Sequence, residues 1–587
     1  MSGLTEVMIM KSDMAQIIWN QYQNGLNYFN RSGLTKEWEE CEKFYEGEQW
    51  PKATKKTKNL PRPVVNICAM IADNKKAGIL SEKTKLIFTP AEMYGELLDK
   101  AQEGSNIFTK FADNISKELH QEDLDEQAID YATQYGTYIY HYFWDKEITG
   151  GMETPYLGAE RGEVLKPSNV IVSNPREKNV QKQKYIIIAS IESLSSVKEL
   201  ARKNKIPNID EIVSDHEIED EATKELEVCT VLTKYSRKNG KVVWSKSTKN
   251  VVIQDLTYWE PSENKVKLTD DEISEEGTEI SEPDKTEKKQ NVDSVFKKQL
   301  YPIVMESHKN RKDCIYGIGE VSQAIPNNKA VNFNLALMLL SVQQTAWPKI
   351  IQKAGALARQ QITNAPGEVL TDNTKGSGWG FKYMETSGFS AQALTLTDSL
   401  ISLTRTTTGS SEVVTGEVMG ANMAASAIIA LQNQAKKPIE IYQRKFYRAH
   451  SRIGKIHEQF FKYYYTDDRL FSYEDNNQVY VSNMNGENYK DIDFSLSVEV
   501  GSAGVFSESL TVSLLDNMKA SGDIDFDEYI ELYPESIMVF KSQLKKMRQK
   551  KLEEQQALEL QNMNSNIGLP QNQIENPVSQ QMGVLSQ

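Results

Sequence analysis

The chain has 587 residues, enough for about three to five domains at roughly 100 to 200 residues each, which excludes a peptide or a single small module. Acidic residues outnumber basic ones by 82 to 68, and the net charge of -14 excludes a general basic field that attracts nucleic acid. The four cysteines are widely spaced and form no CxxC pair, which predicts buried thiols. The sequence shows no signal peptide and no long apolar run, which predicts a soluble protein made inside a cell.

Residues 1–144 are predicted to be mainly helical and to end in a strand. Apolar residues recur there at three- and four-residue spacing, which is typical of amphipathic helices. The predicted segments, in chain order, are helix over 12–50 with a second stretch from about Thr35, a solvated lysine-rich loop over 51–59, an apolar helix over 65–80, an acidic amphipathic helix over 97–135 and an aromatic strand over 135–144.

Residues 163–256 are predicted to form a sheet with one short helix, so the fold class is α+β. The next segment, 260–293, carries twelve carboxylates and five lysines but no aromatic residue, which predicts a disordered insertion. The predicted strands of this region are 163–165, 170–172, 185–190, 225–235, 242–244 and 251–256, with the helix over 195–204.

Two nearly uncharged helices bracket a small module in the second half of the chain. Gly317 is predicted to open the first helix, which runs to about Ala346 and carries only two charged residues. The second helix is predicted over 391–404, and residues 347–389 between them are predicted to be compact, with short strands. Because the first helix is apolar on most sides, other protein must cover it.

Residues 405–422 combine β-branched residues with glycines, which predicts a loop between two helices. Asn422 then caps a predicted helix that runs to about Tyr465, with a break or kink at Pro438 and one apolar stripe after it. The same helix carries a basic stripe that fits a solvated or intersubunit face better than a DNA contact, although both interpretations stay open. The basic stripe consists of Arg444, Arg448, Arg452, Lys455 and Lys462.

The end of the chain is predicted to return to sheet and then to helix. The final residues are rich in Asn, Gln, Pro and Ser, which is typical of a disordered tail. The predicted segments are strands over 478–481 and 494–500, helices over 507–521 and 526–533, a charged helix over 535–560 and the tail over 561–587.

No catalytic or metal-binding motif is recognisable in the sequence. The GxxxxGK[ST], GxSxG and HExxH motifs are absent, and His450 and His457 are interpreted as ordinary helix residues. Pro283-Asp284 with Glu287 imitates a nuclease metal site but falls in the predicted disordered insertion. Gly317-Ile318-Gly319 lacks the third glycine and the βαβ unit of a dinucleotide site. We therefore expect no enzyme activity, no cofactor and no metal site.

Six short motifs follow one another along most of the chain. They are Phe44-Tyr45-Glu46-Gly47-Glu48-Gln49-Trp50, Arg62-Pro63-Val64-Val65-Asn66-Ile67, Tyr135-Gly136-Thr137-Tyr138, Leu165-Lys166-Pro167-Ser168-Asn169-Val170, Tyr316-Gly317-Ile318-Gly319-Glu320 and Gly420-Ala421-Asn422-Met423-Ala424-Ala425-Ser426-Ala427. In type and order they resemble the motifs of the portal, or head-to-tail connector, proteins of tailed bacteriophages. The last motif departs from the common Ser-Gly pair of that family, which leaves the geometry of the following channel loop open.

The resemblance implies a ring of about twelve subunits around a DNA channel. It also implies a portal-like α+β fold, mainly helical, with a mixed α/β wing, a two-helix stem, a small α/β clip and a C-terminal helical crown. Carried onto this chain, the regions are a first wing part over 1–316 with the insertion 260–293, stem helices over 317–346 and 390–404, the clip over 347–389, the channel loop over 405–422, a long helix and second wing part over 423–535, and the crown helix with the tail over 536–587.

The implied function is a ring at one capsid vertex, through which DNA is packaged and ejected. The implied partners are further copies of the chain, double-stranded DNA, the terminase large subunit, the major capsid protein and head-completion or tail adaptor proteins, with no membrane and no cofactor. The implied location is the virion, after assembly in the host cytoplasm. The candidate residues are Arg405, Thr406, Thr407, Thr408, Ser410 and Ser411 in the DNA-facing channel loop, and Glu320, Lys329, Asn332 and Asp398 in the stem.

Two other classes of function remain open from the sequence. A DNA-processing enzyme of the packaging machinery, such as a nuclease or an ATPase, is disfavoured because its motifs are missing. A capsid scaffold or shell protein would also lack catalytic motifs, but it would not need two apolar helices joined through a small module.

Overall fold

The structure is a computed structural model, and helix accounts for 52% and strand for 26% of the residues that it describes. These proportions agree with the predicted α+β class. The described residues are 2–55, 57–58, 60–91, 95–151, 155–215, 227–261, 299–346, 350–352, 381–383, 391–409, 425–475, 478–500, 505–522, 524–533, 544, 547–548 and 550–551.

The helices follow the apolar periodicity of the sequence in most places. In chain order they are α1 (Ser2–Ser32), α2 (Leu34–Glu46), α3 (Ile67–Ile79), α4 (Leu98–Glu118), α5 (Gln121–Tyr135), α6 (Leu194–Lys203), α7 (Glu320–Ala346), α8 (Ala391–Thr408), α9 (Ala425–Tyr463), α10 (Val505–Ser521) and α11 (Phe526–Leu532).

The strands form antiparallel sheets in the described part of the chain. A five-stranded sheet has the order β4-β5-β6-β7-β8, and a three-stranded sheet has the order β3-β2-β9. Smaller pairs are β1-β16, β10-β11 and β12-β13. The strands are β1 (Thr84–Pro90), β2 (Thr137–Gly150), β3 (Tyr156–Leu165), β4 (Val170–Val172), β5 (Tyr185–Ser193), β6 (Val228–Lys238), β7 (Lys241–Ser247), β8 (Val252–Tyr258), β9 (Ile303–Ser307), β10 (Lys309–Arg311), β11 (Cys314–Ile318), β12 (Ile350–Gln352), β13 (Phe381–Tyr383), β14 (Arg469–Asp475), β15 (Gln478–Met484) and β16 (Phe494–Val500).

The chain divides into two compact units. The larger unit comprises Met1–Tyr473 and Tyr480–Val500, and helix α9 supplies much of its core. The predicted apolar stripe of α9 is confirmed, because its side chains are buried against aromatic residues of α4 and β2. The smaller unit comprises Glu474–Val479 and Gly501–Gln587, and Leu515, Tyr529 and Ile530 form its own apolar cluster.

The predicted start of helix α7 at Gly317 is wrong. Residues Cys314–Ile318 form strand β11, and the helix begins at Glu320. A Cβ atom on Gly317 would lie 2.1 Å from the carbonyl oxygen of Gly136, so glycine is required there for the close approach of two backbones. Gly317 therefore serves close backbone packing of strand β11 and not a helix start.

The predicted loop beginning at Arg405 is also corrected, because residues 405–408 form the last turn of α8. Each of the four threonine hydroxyls at positions 404 and 406–408 donates to the backbone carbonyl oxygen four residues earlier. These bonds satisfy the hydroxyls within the helix, although they do not offset the low helix propensity of threonine. The helix ends at Gly409, whose φ of 70° is in the left-handed region.

Smaller differences concern element boundaries. The predicted acidic helix is divided into α4 and α5 at His120, whose φ is 50°. The short strand predicted at 163–165 is the end of the longer β3. The four cysteines are buried and unpaired, as predicted. Most of the predicted insertion 260–293, most of the module 347–389, the channel-loop residues Ser410 and Ser411, most of the charged helix 535–560 and all of the tail 561–587 lie outside the described residues.

Candidate functional site

The two nearly uncharged helices α7 and α8 lie against each other, and polar side chains of α7 attach this pair to the preceding helices. Asn328 Oδ1 accepts a hydrogen bond of 3.0 Å from the backbone N–H of Ile67, and Asn332 Oδ1 accepts one of 2.9 Å from Val65. These amides lie at the start of α3, where the helix cannot satisfy them. The buried asparagines therefore join α7 to the N-terminus of α3.

Gln49 completes this polar connection between α2, α3 and α7. Its Oε1 atom accepts hydrogen bonds from Asn328 Nδ2 and Asn332 Nδ2. Its Nε2 atom donates to the carbonyl oxygen of Phe44 at 2.9 Å and to Asn66 Oδ1 at 3.0 Å. Gln49 is buried, and three of the four bonds are fully buried while the bond to Asn66 is partly buried. The motifs at 44–50 and 62–67 thus meet the distant helix α7 at one amide side chain.

A second connection fixes the first residue of α7. Glu320 is fully buried, and it accepts hydrogen bonds from His308 Nε2 at 3.2 Å and from Lys309 Nζ at 2.9 Å. Burial alone would raise the pKa of the Glu320 carboxyl, but its hydrogen-bonded basic partners outweigh burial and lower the pKa to about 2. Burial lowers the pKa of His308, so its imidazole is neutral near pH 7 and Lys309 supplies the positive charge.

Aromatic and basic side chains surround this buried carboxylate. The Tyr442 ring stacks on His308 with 4.3 Å between ring centroids, and Lys75 Nζ lies 5.1 Å from the centroid of Tyr442. Burial lowers the pKa of Lys75, whose side chain reaches the end of α8 near Gly409. A carboxylate at the N-terminus of α7 and an ammonium group at the C-terminus of α8 both match the helix dipoles.

The end of α8 packs against α7 and α3. Asn327 Nδ2 donates to Thr404 Oγ1 at 2.9 Å, and Arg405 Nη2 contacts Met70 Sδ at 3.7 Å. Thr404 and Thr408 are buried, whereas Thr406 and Thr407 are exposed. Of the predicted channel-loop residues that the structure describes, these two exposed threonines can therefore face a ligand most directly.

The four predicted stem residues have different environments. Glu320 and Asn332 are buried and serve the connections described above, so neither lines an open surface of this chain. Lys329 forms an ion pair with Glu40 of α2. Asp398 is exposed, and it forms no ion pair with the described residues.

Helices α7 and α8 expose large apolar side chains to solvent. On α7, Phe333 is 51% exposed and Val342 is 63% exposed, and α8 has Leu394 at 55%. A protein surface rarely leaves so much apolar area together unless it binds a partner. Among the described residues of the single chain nothing covers these side chains, so the expectation that other protein covers them stays a prediction. The remaining exposed apolar residues of this pair are Leu337, Leu339, Leu396 and Leu403.

A groove of about 960 Å³ lies along α7 on the side of α2. Aromatic side chains form much of its apolar lining, namely Phe44, Trp50 and Phe333. Trp50 is held in place because its Nε1–H donates to the carbonyl oxygen of Pro63 at 2.8 Å. We call this feature the α2–α7 groove.

Comparison with known families supplies the assignment. The family described as phage P22-like portal protein matches residues 21–583, which is nearly the whole chain. The chain belongs to the phage P22-like portal protein family. No curated protein sequence matches the chain. The family supports a phage portal role at the capsid vertex, and it is structural rather than enzymatic.

The basic stripe of this portal family member is engaged within the chain at three positions. Arg452 pairs with Glu306 at 2.6 Å, and both Lys455 and Lys462 pair with Glu458. The intrachain ion pairs favour a structural role at these positions over DNA contact. Arg444 and Arg448 are exposed.

The two histidines of α9 belong to the buried core of the larger unit. His450 Nε2 lies 3.0 Å from Asp125 Oδ2, and His457 Nδ1 lies 2.8 Å from Glu160 Oε1. Burial opposes protonation of His450, but Asp125 outweighs it and raises the His450 pKa. Among the described residues, no group of three or more His, Cys, Asp or Glu side chains is arranged to hold a metal ion.

Sequence reasoning missed Asn328, Lys75 and His308, because their partners are distant along the chain. Helix α7 contains seven Asn and Gln side chains, so the sequence alone gave no signal that distinguishes Asn328 from the others. No helix in the described parts of the chain has the length and apolar character needed to cross a membrane.

Proposed function

We propose that this chain assembles into the portal ring of a tailed bacteriophage, with about twelve copies around a channel for double-stranded DNA. The uncovered apolar surface of α7 and α8 carries the proposal, together with the family. These helices are attached firmly at their base through Gln49 and Glu320, yet no described part of the same chain covers their exposed leucines. Neighbouring copies would bury that surface, as in other closed rings.

The regions of the ring follow from the helices. In this proposal α7 and α8 form the stem, residues 347–389 form the clip, and the channel loop begins at Gly409 because the preceding four residues are helical. Residues 1–316 and 423–535 form the wing, and the chain from 536 forms the crown and tail. The ring would dock the terminase large subunit, the major capsid protein and a head-completion or tail adaptor protein, after assembly in the host cytoplasm.

The exposed side of α8 is suited to DNA that must slide. Thr395, Ser399, Ser402 and Thr406 recur at four- and three-residue spacing, so they lie along one side of the helix, and all four are exposed. Hydroxyl groups make sequence-independent contacts with phosphates, whereas lysines would add a salt-dependent attraction at each copy. We therefore infer that this hydroxyl-bearing side of α8 faces the channel.

Electron microscopy of the purified protein tests the ring. We expect end-on views with a central hole, and a protein that stays monomeric at micromolar concentration would contradict the proposal. Leu403→Asp should reduce assembly, because it places a charge on the surface that neighbouring copies cover. Ile191→Asp is the matched control, since Ile191 is 64% exposed on β5 and lies outside the two stem helices.

The enzyme alternative is tested on the same preparation. A packaging nuclease or ATPase would cleave DNA with a divalent metal ion or hydrolyse ATP when DNA is added. We expect neither activity from highly purified protein. DNA cleavage or ATP hydrolysis that copurifies with the ring would favour the enzyme alternative. A scaffold or shell protein would instead assemble into closed shells or irregular particles, which electron microscopy distinguishes from rings.

A further inference from the structure

A ring of identical subunits joined head to tail needs two different surfaces on every copy, one of which fits the other. The α2–α7 groove is a concave surface with aromatic anchors, and such pockets contribute strongly to protein interfaces. On the same chain, Leu394 and Asp398 of α8 are exposed beside the hydroxyl-bearing side that is proposed to face the channel. The following inference rests on the proposed ring and names the parts of two copies that meet.

The charges around the α2–α7 groove favour binding of an acidic side chain. Lys329 is already paired with Glu40 at the groove. The other charged residues lining the groove form no ion pair with the described part of the chain, and three lysines outnumber two carboxylates among them. These residues are Lys36, Lys43, Lys52, Glu39 and Glu48.

Helix α8 offers a matching charge at one position. Asp398 is the only charged residue between Ala391 and Thr404, and it is exposed without an ion pair to the described residues. Leu394, four residues earlier, lies on the same side of the helix and is 55% exposed. An isolated carboxylate beside an exposed leucine complements a groove that combines lysines with aromatic rings.

The heights of these residues along the helices agree with such a contact. The hydrogen bond between Asn327 and Thr404 sets the register of α7 against α8. The two helices run in opposite directions, so Asp398, six residues before Thr404, lies about level with Phe333 at the groove. By the same count Leu394 lies about level with Leu337. Rotation about a ring axis parallel to these helices preserves the levels from one copy to the next.

We propose that the α2–α7 groove of one copy receives the Asp398 and Leu394 side of helix α8 from the neighbouring copy. Asp398 then faces the unpaired lysines beside Phe333, and Leu394 packs on Leu337. The contact is head to tail, because each copy contributes its groove to one neighbour and its α8 to the other.

A charge exchange tests the pairing. Asp398→Lys should raise the protomer concentration needed for half-maximal ring assembly at least threefold at low salt, and Lys43→Glu combined with Lys52→Glu should do the same. The variant with all three substitutions should recover assembly to near the wild-type value. The effects should shrink in 0.5 M NaCl, because salt screens exposed charges. Asp99→Lys is the matched control, since Asp99 is exposed on α4.

A disulfide experiment tests the neighbouring apolar contact without relying on charge. Leu337→Cys and Leu394→Cys proteins are prepared separately, mixed, assembled and oxidised. A cross-linked dimer that needs both variants supports the proposal, because a bond within one chain is impossible in this mixture. The native cysteines are buried, so they should not compete.

The outcomes separate this inference from the proposed function. If wild type forms rings and Asp398→Lys assembles equally well, the groove pairing is overturned and the proposed ring is not. The same holds if rings form but Leu337→Cys and Leu394→Cys give no mixed cross-link. Lost assembly in Asp398→Lys without recovery in the exchanged variant would overturn it as well. A wild-type protein that never forms rings would refute the proposed function and the pairing together.

Discussion

Gln49→Ala should loosen helix α7 more than any other single amide truncation in the larger unit. Gln49 makes four hydrogen bonds, two through Nε2 to Phe44 and Asn66 and two through Oε1 from Asn328 and Asn332, and all but the bond to Asn66 are fully buried. At about 1 kcal/mol net for each bond, the truncation should cost about 4 kcal/mol, since the former partners stay buried.

Native-state hydrogen exchange is the appropriate assay, because it measures the free energy of local opening helix by helix. The amides of α7 in Gln49→Ala should exchange faster, and their opening free energy should fall by about 4 kcal/mol where they open locally. Gln127→Ala is the matched control, because Gln127 is exposed and its side chain makes one bond of 3.3 Å to Tyr131. The control should change the opening free energy by less than about 0.5 kcal/mol.

A change below about 1 kcal/mol in Gln49→Ala would refute the reasoning. It would mean that packing of α7 against α2 and α3 holds the helix without the amide. Equal acceleration in α7 and in the five-stranded sheet would also refute it, because the loss would then be global.

Three further predictions follow from other contacts. Glu320→Gln should destabilise the protein at pH 7; the carboxyl has a pKa of about 2 against an ordinary 4.5, so its stabilisation is present above pH 4.5 and lost towards pH 2. The difference from wild type in the free energy of unfolding should shrink by on the order of 1 kcal/mol between pH 7 and pH 3.5, as measured by urea unfolding. Gly317→Ala should lower the free energy of unfolding by more than about 3 kcal/mol. Gly33→Ala should lower it by only about 1 kcal/mol in the same assay, because the added Cβ would contact no neighbouring atom and only the left-handed φ of 78° is unfavourable. Ser402→Lys with Thr406→Lys should leave rings intact and slow DNA packaging more at low salt than at moderate salt; an unchanged rate at both salts would show that this side of α8 does not face DNA.

The sequence alone predicted much of the regular structure. Periodic apolar residues predicted the long helix α9, including Pro438 within it, because one buried stripe is encoded locally at helical spacing. The order of the short motifs identified the portal family, which the match over residues 21–583 confirms. The α+β class followed from the change between helical and strand-like composition along the chain.

Tertiary structure decided the boundaries of the candidate site. Gly317 belongs to a strand because its backbone packs on Gly136, far away in the sequence. Residues 405–408 are helical because α8 continues along α7 and α3, where packing outweighs the low helix propensity of threonine. Local composition contains no information about either neighbour.

The roles of the polar residues in α7 depended on partners from other parts of the chain. Glu320 looked like a charge on the surface of a stem helix, but His308, Lys309 and Tyr442 enclose it. Asn328 is one of several amide side chains in α7, and the fold places it against Gln49. The sequence fixes which side chains are polar, whereas their burial, their hydrogen-bond partners and hence their pKa are decided only when distant segments pack together.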